Sequence, residues 1–382
     1  MFFAPLSVLL LHSFTLLAAH PLSPRANNLV PTVNPTAYLP DGGAGTYPRL
    51  AHLADGSVLG TVTTSSQGTA VLTVTRSTDG ARTFSAWGTI ASSTGDLDNT
   101  YVQQLANGDV VATFRNHDKN AAGAYTFYRI SASISHDNGK TWTFLSQVDQ
   151  RAAAGVNGLW EPYMRIAKSG ALQVYYAAEN AGNDQDILVR SSTDNGLTWS
   201  GATTVAGGTT TGRDGMPGCT DFTSGGAARV LCVFETTEGT GSLFTVKSVV
   251  SSDDGVSFSG RAQVFVPGGA SHNGINSAFS SLTLVADDDF NLAGAPSVVT
   301  TSAGTLVVSF MTDEDNTASH AGWRRDEDPH VFLGKPPVWG QKTTVLPIAS
   351  FWPGLFARVD GSNTVVACAD NGGARCHEVS FA

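Results

Sequence analysis

Charged residues are scarce in this chain, and positive ones are scarcer than negative ones. Asp, Glu, Lys and Arg make up 14% of its 382 residues, and 22 Lys and Arg stand against 32 Asp and Glu, for a formal net charge of -10. A surface that binds nucleic acid needs basic side chains to neutralise the phosphates. The charge balance therefore argues against a nucleic-acid partner.

The chain also lacks the residue spacings of a metal site. It contains no C-x-x-C pair, and its histidines are scattered, for example at His52, His272 and His377. Structural zinc is usually held by closely spaced Cys and His ligands. We therefore predict no metal ion and no cofactor.

An apolar stretch at the N-terminus is too short to span a bilayer. Residues 1–19 contain two leucine-rich runs and end in small residues before His20, although they lack the usual basic start. This pattern predicts a signal peptide over 1–19 and a secreted protein that does not contact a membrane; the alternative is a buried first strand. Residues 20–40 are rich in Pro and Asn and are predicted to be a flexible lead.

Only four cysteines are present. In an exported chain they suggest two disulfides, with three possible pairings. Cys219 and Cys232 flank one predicted hairpin, and Cys368 and Cys376 flank another. Local geometry therefore favours one disulfide within each hairpin.

The most informative feature of the chain is a repeated segment with the pattern S-x-D-x-G-x-[T/S]-aromatic. Copies cover 135–142, 192–199 and 251–258, and a degraded copy covers 77–84; their aspartates lie 58, 57 and 59 residues apart. A period this regular predicts a repeat architecture. We expect each Asp to accept hydrogen bonds from turn amides, each Gly to take a positive φ, and each aromatic ring to pack between strands. The role of the segment is then structural.

Each repeat has further shared positions. A hairpin glycine precedes an apolar strand in every unit. The residue nine positions after this glycine is polar or acidic in each unit. The glycines are Gly56, Gly108, Gly170, Gly226, Gly304 and Gly361, and the later residues are Ser65, His117, Glu179, Glu235, Asp313 and Asp370. Five units have a proline just upstream of the glycine. Because proline cannot donate a hydrogen bond to a strand ladder, we predict that the first strand of each unit begins at this proline. The prolines are Pro48, Pro162, Pro217, Pro296 and Pro353.

The repeated segment resembles the Asp box of sialidase-like β-propellers. Six units of about 58 residues fill 41–382, with one insertion around 259–294, and the 41 Gly and 16 Pro suit a turn-dense chain. We therefore predict an all-β fold, a single six-bladed β-propeller over 41–382.

Acidic residues occur where the strands of neighbouring units should approach a central channel. Glu161 stands between Trp160 and Pro162 at the start of one unit, and Glu179 and Glu235 follow second strands. Cleavage of a glycosidic bond uses a pair of carboxylates, and aromatic rings supply apolar faces for sugars. We predict a glycosidase site here; the alternative is rim carboxylates paired with arginine or solvent.

Longer stretches resemble glycoside hydrolase family 93, the exo-acting α-L-1,5-arabinanases. The matching stretches are 114–118, 157–162, 176–180 with 184–186, 213–216, 233–235, 294–296 and 312–315. The resemblance implies a retaining enzyme that releases arabinobiose from arabinan ends, with Glu161 and Glu235 as catalytic residues. We further expect it to be secreted and monomeric. We assign Glu161 as nucleophile and Glu235 as acid/base. A cysteine at Cys219 departs from the family pattern.

The same resemblance, together with the strand positions, gives the expected substrate-binding residues. They are Arg115, His117, Asp118, Trp160, Tyr163, Glu179, Asn180, Arg213, Asp214 and Trp323. Trp323 belongs to a charged loop, 320–334, that we expect to form one wall of the cleft and to make the enzyme exo-acting. The alternative is a solvated loop with the Trp323 ring packed on a neighbouring unit.

Two other functions are compatible with the Asp boxes. A sialidase would need three converging arginines to bind the sialic carboxylate, and Arg49, Arg115 and Arg213 are the candidates. A non-catalytic sugar-binding propeller would have no need for an acidic pair at matching positions. Activity on arabinan would separate both from the first hypothesis.

Overall fold

A computed structural model describes residues 30–38, 45–241, 243–265, 293–312, 328–335, 338–346 and 350–382. Every regular element in these residues is a β-strand, and the strands form six four-stranded antiparallel sheets. The chain is therefore an all-β protein, as predicted. Within these ranges no helix is long and apolar enough to cross a membrane.

The strands follow one another around the molecule in chain order. Strand β1 is Pro31–Tyr38. Sheet 1 contains β2 (Thr46–His52), β3 (Val58–Ser66), β4 (Thr69–Ser77) and β5 (Ser85–Ser93). Sheet 2 contains β6 (Asp96–Gln104), β7 (Val110–Lys119), β8 (Tyr125–Ser135) and β9 (Thr143–Ala152). Sheet 3 contains β10 (Leu159–Ile166), β11 (Leu172–Ala181), β12 (Asp184–Ser192) and β13 (Thr203–Ala206). Sheet 4 contains β14 (Gly215–Ser224), β15 (Ala227–Thr236), β16 (Thr245–Ser251) and β17 (Ser259–Phe265).

The remaining strands complete the series. Sheet 5 contains β18 (Ala293–Thr300), β19 (Leu306–Thr312), β20 (Asp328–Lys335) and β21 (Val338–Thr344). Sheet 6 contains β22 (Phe351–Ala357), β23 (Thr364–Asp370) and β24 (Ala374–Phe381), with β1 as its outer strand. The first strands of successive sheets contact one another, and β22 contacts β2. The sheets therefore close into a ring with the first strands innermost, which is a β-propeller.

The hydrophobic core lies between the sheets rather than at the centre of the ring. In the described part of the chain, six buried clusters each join two neighbouring sheets, including one between sheets 6 and 1. Leu59, Val74 and Val110, for example, pack together across sheets 1 and 2 with almost no exposed surface. Because every sheet is covered on both faces, the ring holds the innermost strands in fixed positions.

Strand β1 corrects the prediction of a flexible lead over 20–40 for residues 31–38. Residues 31–34 pair with the last strand in a continuous register from Pro31 opposite Phe381 to Asn34 opposite Glu378. Val30 and Ala382 also exchange backbone hydrogen bonds. The N-terminal residues thus supply the fourth strand of the last sheet and join the two ends of the chain. Residues 1–29, which include the predicted signal peptide, lie outside the described residues.

The Asp boxes are turn staples, as predicted. Asp137 Oδ1 accepts hydrogen bonds from the backbone N–H groups of Lys140 and Thr141 at 3.1 and 2.8 Å, and its Oδ2 accepts one from the Thr141 hydroxyl at 2.6 Å. Gly139 has φ of 82°, which few other residues adopt. The Trp142 ring packs against the cluster between sheets 1 and 2. Each box therefore anchors an outer turn to a core.

The prolines lie at a different place from the predicted one. Each of the five innermost strands that contain a proline begins two or three residues before it, and the strand register shifts around it. The proline thus occupies a β-bulge, the other position in a sheet where its missing N–H costs no ladder hydrogen bond.

Both predicted disulfides are present. Cys219–Cys232 joins directly opposite residues of β14 and β15, and Cys368–Cys376 joins opposite residues of β23 and β24. The cysteine that departs from the family pattern, Cys219, is therefore half of a cross-strand link. Two disulfides are typical of a protein that folds in an oxidising environment.

Candidate functional site

Six backbone positions, one on each innermost strand, share an unusual conformation. At each bulge a residue other than glycine has φ between 44° and 55°. We call this set the inner ring. It comprises Tyr47, Asn99, Glu161, Met216, Ala295 and Trp352. A positive φ in such residues costs roughly 1–3 kcal/mol and is concentrated at functional sites. Its recurrence in every sheet indicates that the bulges serve to direct these side chains.

A cavity lies within the inner ring. Its walls come from five of the six sheets and include Tyr47, Asn99, Glu161, Tyr163 and Met216. Polar, aromatic and acidic groups thus face one small space that is surrounded by rigid strands. Such a concave site on a closed β scaffold is where a ligand of a propeller is expected.

Glu161 is the acidic member of the inner ring. The Met216 N–H donates to its Oε2 at 3.4 Å. Burial raises the pKa of Glu161 to about 7, although the Arg115 guanidinium and the Met216 hydrogen bond act to lower it. Near neutral pH this carboxyl group can therefore both hold and release a proton.

Glu235 approaches the inner ring from the second strand of sheet 4. It stands opposite Gly215 in the register of β14 and β15, and the Ala295 N–H donates to its Oε2 at 2.6 Å. A Cβ atom on Gly294 would lie 2.6 Å from Oε2, and one on Gly215 would lie 3.0 Å from Oε1. Two glycines therefore leave just enough room for this carboxylate.

The two predicted catalytic glutamates converge on two consecutive residues of β14. Glu235 contacts Gly215, and Glu161 accepts a hydrogen bond from Met216. They arrive from different sheets, since Glu161 belongs to β10 and Glu235 to β15. Their environments also differ, because Glu161 has a raised pKa whereas Glu235 accepts a short hydrogen bond from a backbone amide.

The third predicted glutamate has a different environment. Glu179 is buried, its Oε1 accepts a hydrogen bond from Arg213 at 2.8 Å, and its Oε2 accepts one from the Gly158 N–H at 2.8 Å. Arg213 also donates to the Gln185 side chain at 2.9 Å. Glu179 and Arg213 thus form an ion pair that holds the segment preceding β10 in place.

Arg115 is held beside Glu161 by two aspartates that sequence reasoning missed. Its guanidinium donates to Asp96 at 2.8 Å and to Asp98 at 3.3 Å, and it lies over the Trp160 ring at 5.3 Å. Asp96 and Asp98 alternate with Leu97 on β6, which directs both carboxylates to one face. That alternation is the signal that could have identified them.

His117 is fully buried. Its Nε2 lies 2.7 Å from the Leu159 carbonyl, and burial, with the nearby Arg115 charge, lowers its pKa to about 4. Tyr125, Tyr128 and Trp160 surround the ring edge-on. Its Nε2 contact with a backbone carbonyl makes it a support for the start of β10.

The other predicted binding residues are spread over several environments. Tyr163 lines the cavity and donates its hydroxyl to the Cys219 carbonyl at 2.5 Å. Asp118 pairs with Arg129, and Asn180 donates to Asp186 at 2.9 Å. Asp214 is completely buried and accepts two hydrogen bonds from Arg261, at 2.7 and 2.8 Å. Trp323 lies outside the described residues, but the expectation of a loop over 320–334 is wrong for 328–334, which belong to strand β20 and pair with β19.

Two aromatic members of the inner ring were not predicted. Tyr47 and Trp352 stack with their centroids 4.5 Å apart and their planes 23° from parallel. Tyr47 lines the cavity, and Trp352 supports its ring from sheet 6, the sheet that supplies none of the described lining residues. The cavity therefore has an aromatic side chain as well as an acidic one.

The described ranges contain no group of three or more His, Cys, Asp or Glu side chains arranged to hold a metal ion. The chemistry of this site is that of carboxyl, guanidinium, amide and aromatic groups.

The fold that carries this site recurs in solved structures. An α-L-arabinanase from Penicillium chrysogenum in complex with arabinobiose matches with a TM-score of 0.63 and 19% identity, over 94% of this chain and 98% of its own. A family 93 α-L-arabinofuranosidase from Fusarium graminearum in complex with arabinobiose matches with a TM-score of 0.64 and 20% identity, over 93% of this chain and 97% of its own. The chain has their fold.

A sialidase from Streptococcus pneumoniae is more distant, with a TM-score of 0.53 and 11% identity over 89% of this chain and 68% of its own. No protein-family model matches the sequence, and no curated protein does. The likeness to the family 93 enzymes thus lies in the fold of the propeller, with limited sequence identity.

Proposed function

We propose that this protein is a secreted, monomeric, six-bladed glycoside hydrolase that cleaves arabinan from its ends with retention and releases arabinobiose. The observation that carries the proposal is the convergence of Glu161 and Glu235 on Gly215 and Met216, inside a ring of strained residues. Paired carboxyl groups in unlike environments are what glycoside hydrolysis requires. The fold shared with arabinobiose-binding enzymes supports the choice of sugar.

The environments favour a division of roles opposite to the one assigned from sequence. Glu161, with its pKa near 7, suits the acid/base. Glu235, whose Oε2 accepts the Ala295 N–H at 2.6 Å, suits the nucleophile, because that hydrogen bond and the close Gly294 and Gly215 hold its carboxylate in one position.

In the first step, Glu161 gives its proton to the glycosidic oxygen while a Glu235 oxygen bonds to the anomeric carbon and the carbon–oxygen bond to the leaving sugar breaks. In the second step, ionised Glu161 takes a proton from water, the water oxygen bonds to the anomeric carbon, and Glu235 leaves. Retention further requires that the two carboxyl groups lie about 5–5.5 Å apart.

The arginines argue against a sialidase. Arg115 is engaged by Asp96 and Asp98, and Arg213 by Glu179. Arg49 donates to the backbone carbonyls of Pro48 and Trp352 at 2.8 and 3.1 Å. A sialic carboxylate would have to compete with these partners for its guanidinium contacts.

The deciding experiment is product analysis on linear arabinan beside a fluorogenic sialoside. We expect arabinobiose as the main product from the first minutes and no release from the sialoside. Glu161→Gln and Glu235→Gln should each lose at least about a hundredfold in kcat, whereas Glu238→Gln should stay active. Glu238 is the matched control, because it lies three residues beyond Glu235 and pairs with Lys247 and Arg261. Inactive wild-type protein on arabinan would refute the proposal.

Azide rescue distinguishes the two roles. With an activated aryl arabinoside, Glu161→Ala plus azide should give a sugar azide of retained configuration, since azide attacks the intermediate on Glu235. Glu235→Ala plus azide should give the inverted azide, since azide then takes the place of the nucleophile. The opposite pair of products would restore the original assignment of Glu161 as nucleophile.

A further inference from the structure

Asn99 carries a buried amide group that the fold does not use. It is a member of the inner ring, it lines the cavity, and only 6% of its surface is exposed. Neither its Nδ2 nor its Oδ1 makes a hydrogen bond of normal geometry among the described residues. Buried polar groups without partners are rare in folded proteins because they are costly. An amide retained in this position therefore points to a ligand.

Hydrogen bonds to Asp98 fix the backbone that carries this amide. The Asn99 N–H donates to Asp98 Oδ1 at 2.8 Å, and the Thr63 hydroxyl donates to the same oxygen at 2.6 Å. Burial raises the pKa of Tyr47, the preceding member of the inner ring, but its hydroxyl lies near enough to the Asn99 side chain for a weak hydrogen bond that acts to lower this pKa. Glu161 is the following member. The amide is thus held between an aromatic ring and the acidic residue of the site.

We propose that the Asn99 side chain binds two neighbouring hydroxyl groups of the sugar ring on which Glu161 and Glu235 act; this rests on the function proposed above. An amide has one acceptor and one pair of donors side by side. One of two vicinal hydroxyls can donate to the amide oxygen, and the other can accept from the amide N–H. Both are free on each sugar of a linear 1,5-linked chain, so a branch on either hydroxyl would exclude the substrate.

The test uses Asn99→Gly with deoxy substrates. Glycine removes the amide and tolerates the φ of 55° at this position. Asn195→Gly is the matched control, because Asn195 also has a positive φ, of 61°, but is exposed in an Asp box. The substrates are an aryl α-L-arabinobioside and its 2-deoxy and 3-deoxy forms, changed on the sugar that bears the aryl group.

For each protein we take the ratio of kcat/KM on the parent substrate to kcat/KM on a deoxy substrate. We expect this ratio to be about tenfold or more higher for wild type and Asn195→Gly than for Asn99→Gly. The ratio between proteins is used because loss of a hydroxyl also changes the intrinsic reactivity of the sugar. Asn99→Gly should lose activity on the parent substrate by a similar factor.

Equal discrimination by wild type and Asn99→Gly would overturn the inference even if the parent substrate is cleaved. Absence of any cleavage by wild type would instead refute the proposed function. If Asn99→Gly fails to fold, Asn99→Ser, which keeps one hydrogen-bonding group, should lose discrimination at one of the two hydroxyls; discrimination at both in that variant would also overturn it.

Discussion

Replacing Glu161 by Gln should abolish activity and yet stabilise the protein, by an amount that depends on pH. Burial raises the pKa of Glu161 from an ordinary value of 4.5 to about 7. The folded state therefore binds this proton more tightly than the unfolded state. The contribution of Glu161 to stability is complete below pH 4.5 and is lost as the pH rises through 7.

The magnitude follows from the shift. One pKa unit corresponds to about 1.4 kcal/mol, so 2.5 units would give roughly 3 kcal/mol. Glu161 retains some exposed surface, and solvent screening reduces the figure to about 1–3 kcal/mol. Because Gln does not titrate, the gain of Glu161→Gln over wild type should be near zero at pH 4 and reach about 1–3 kcal/mol at pH 8.

Urea unfolding of both proteins at pH 4, 6 and 8, with disulfides intact, measures this difference. Glu238→Gln is a control of opposite sign. Although burial raises the pKa of Glu238, its hydrogen bonds with Lys247 and Arg261 lower it overall. Glu238→Gln should therefore destabilise the protein more at pH 8 than at pH 4. A Glu161→Gln gain that is the same at all three pH values, or absent at pH 8, would refute the reasoning.

Three further changes test separate parts of the structure. Gly294→Ala should lower kcat at least about tenfold, because its Cβ would lie 2.6 Å from the Glu235 carboxylate, whereas Gly201→Ala, with open space around it, should be unaffected. Equal activity of the two variants would contradict the narrow fit around Glu235. Trp352→Ala should raise KM for arabino-oligosaccharides about two- to tenfold, since ring stacking contributes about 0.5–1.5 kcal/mol; an unchanged KM would remove Trp352 from the binding site. Asp137→Ala should lower the free energy of unfolding by about 1 kcal/mol with kcat unchanged, and a variant that loses activity but unfolds like wild type would contradict its structural role.

The features that sequence predicted best are local ones. The Asp boxes, the hairpin glycines and both disulfides depend on residues within about fifteen positions of one another, so their spacing carries the information. Gly56 and Gly361 have φ of 81° and 83°, as expected for turn glycines. The pairing of Pro31–Tyr38 with Ala374–Phe381 was missed because its partners lie at opposite ends of the chain and nothing in either segment specifies the other.

Only part of the candidate site was predicted, because only some of its residues stand out by residue type at repeated positions. Glu161 and Glu235 are exceptional residue types at repeated positions, and this singled them out. Tyr47, Asn99 and Trp352 share a backbone conformation with Glu161 but no side-chain chemistry, so no pattern of residue types connects them. The predicted stacking role of Trp323, which lies outside the described residues, stays a prediction.

The inner ring suggests how a repeated fold can carry an asymmetric site. The bulge gives every sheet the same strained backbone position, and the sequence then fills the six positions with different groups, among them an acid, an amide and an aromatic pair. Strain of roughly 1–3 kcal/mol at each position would be relieved by relaxation if the innermost strands could move. The buried clusters between all neighbouring sheets and the pairing of β1 with β24 prevent this. Rigid cores between the sheets are therefore what allow the centre to hold strained, polar and partly unpaired side chains in a fixed arrangement, and binding of a sugar would supply the missing hydrogen bonds.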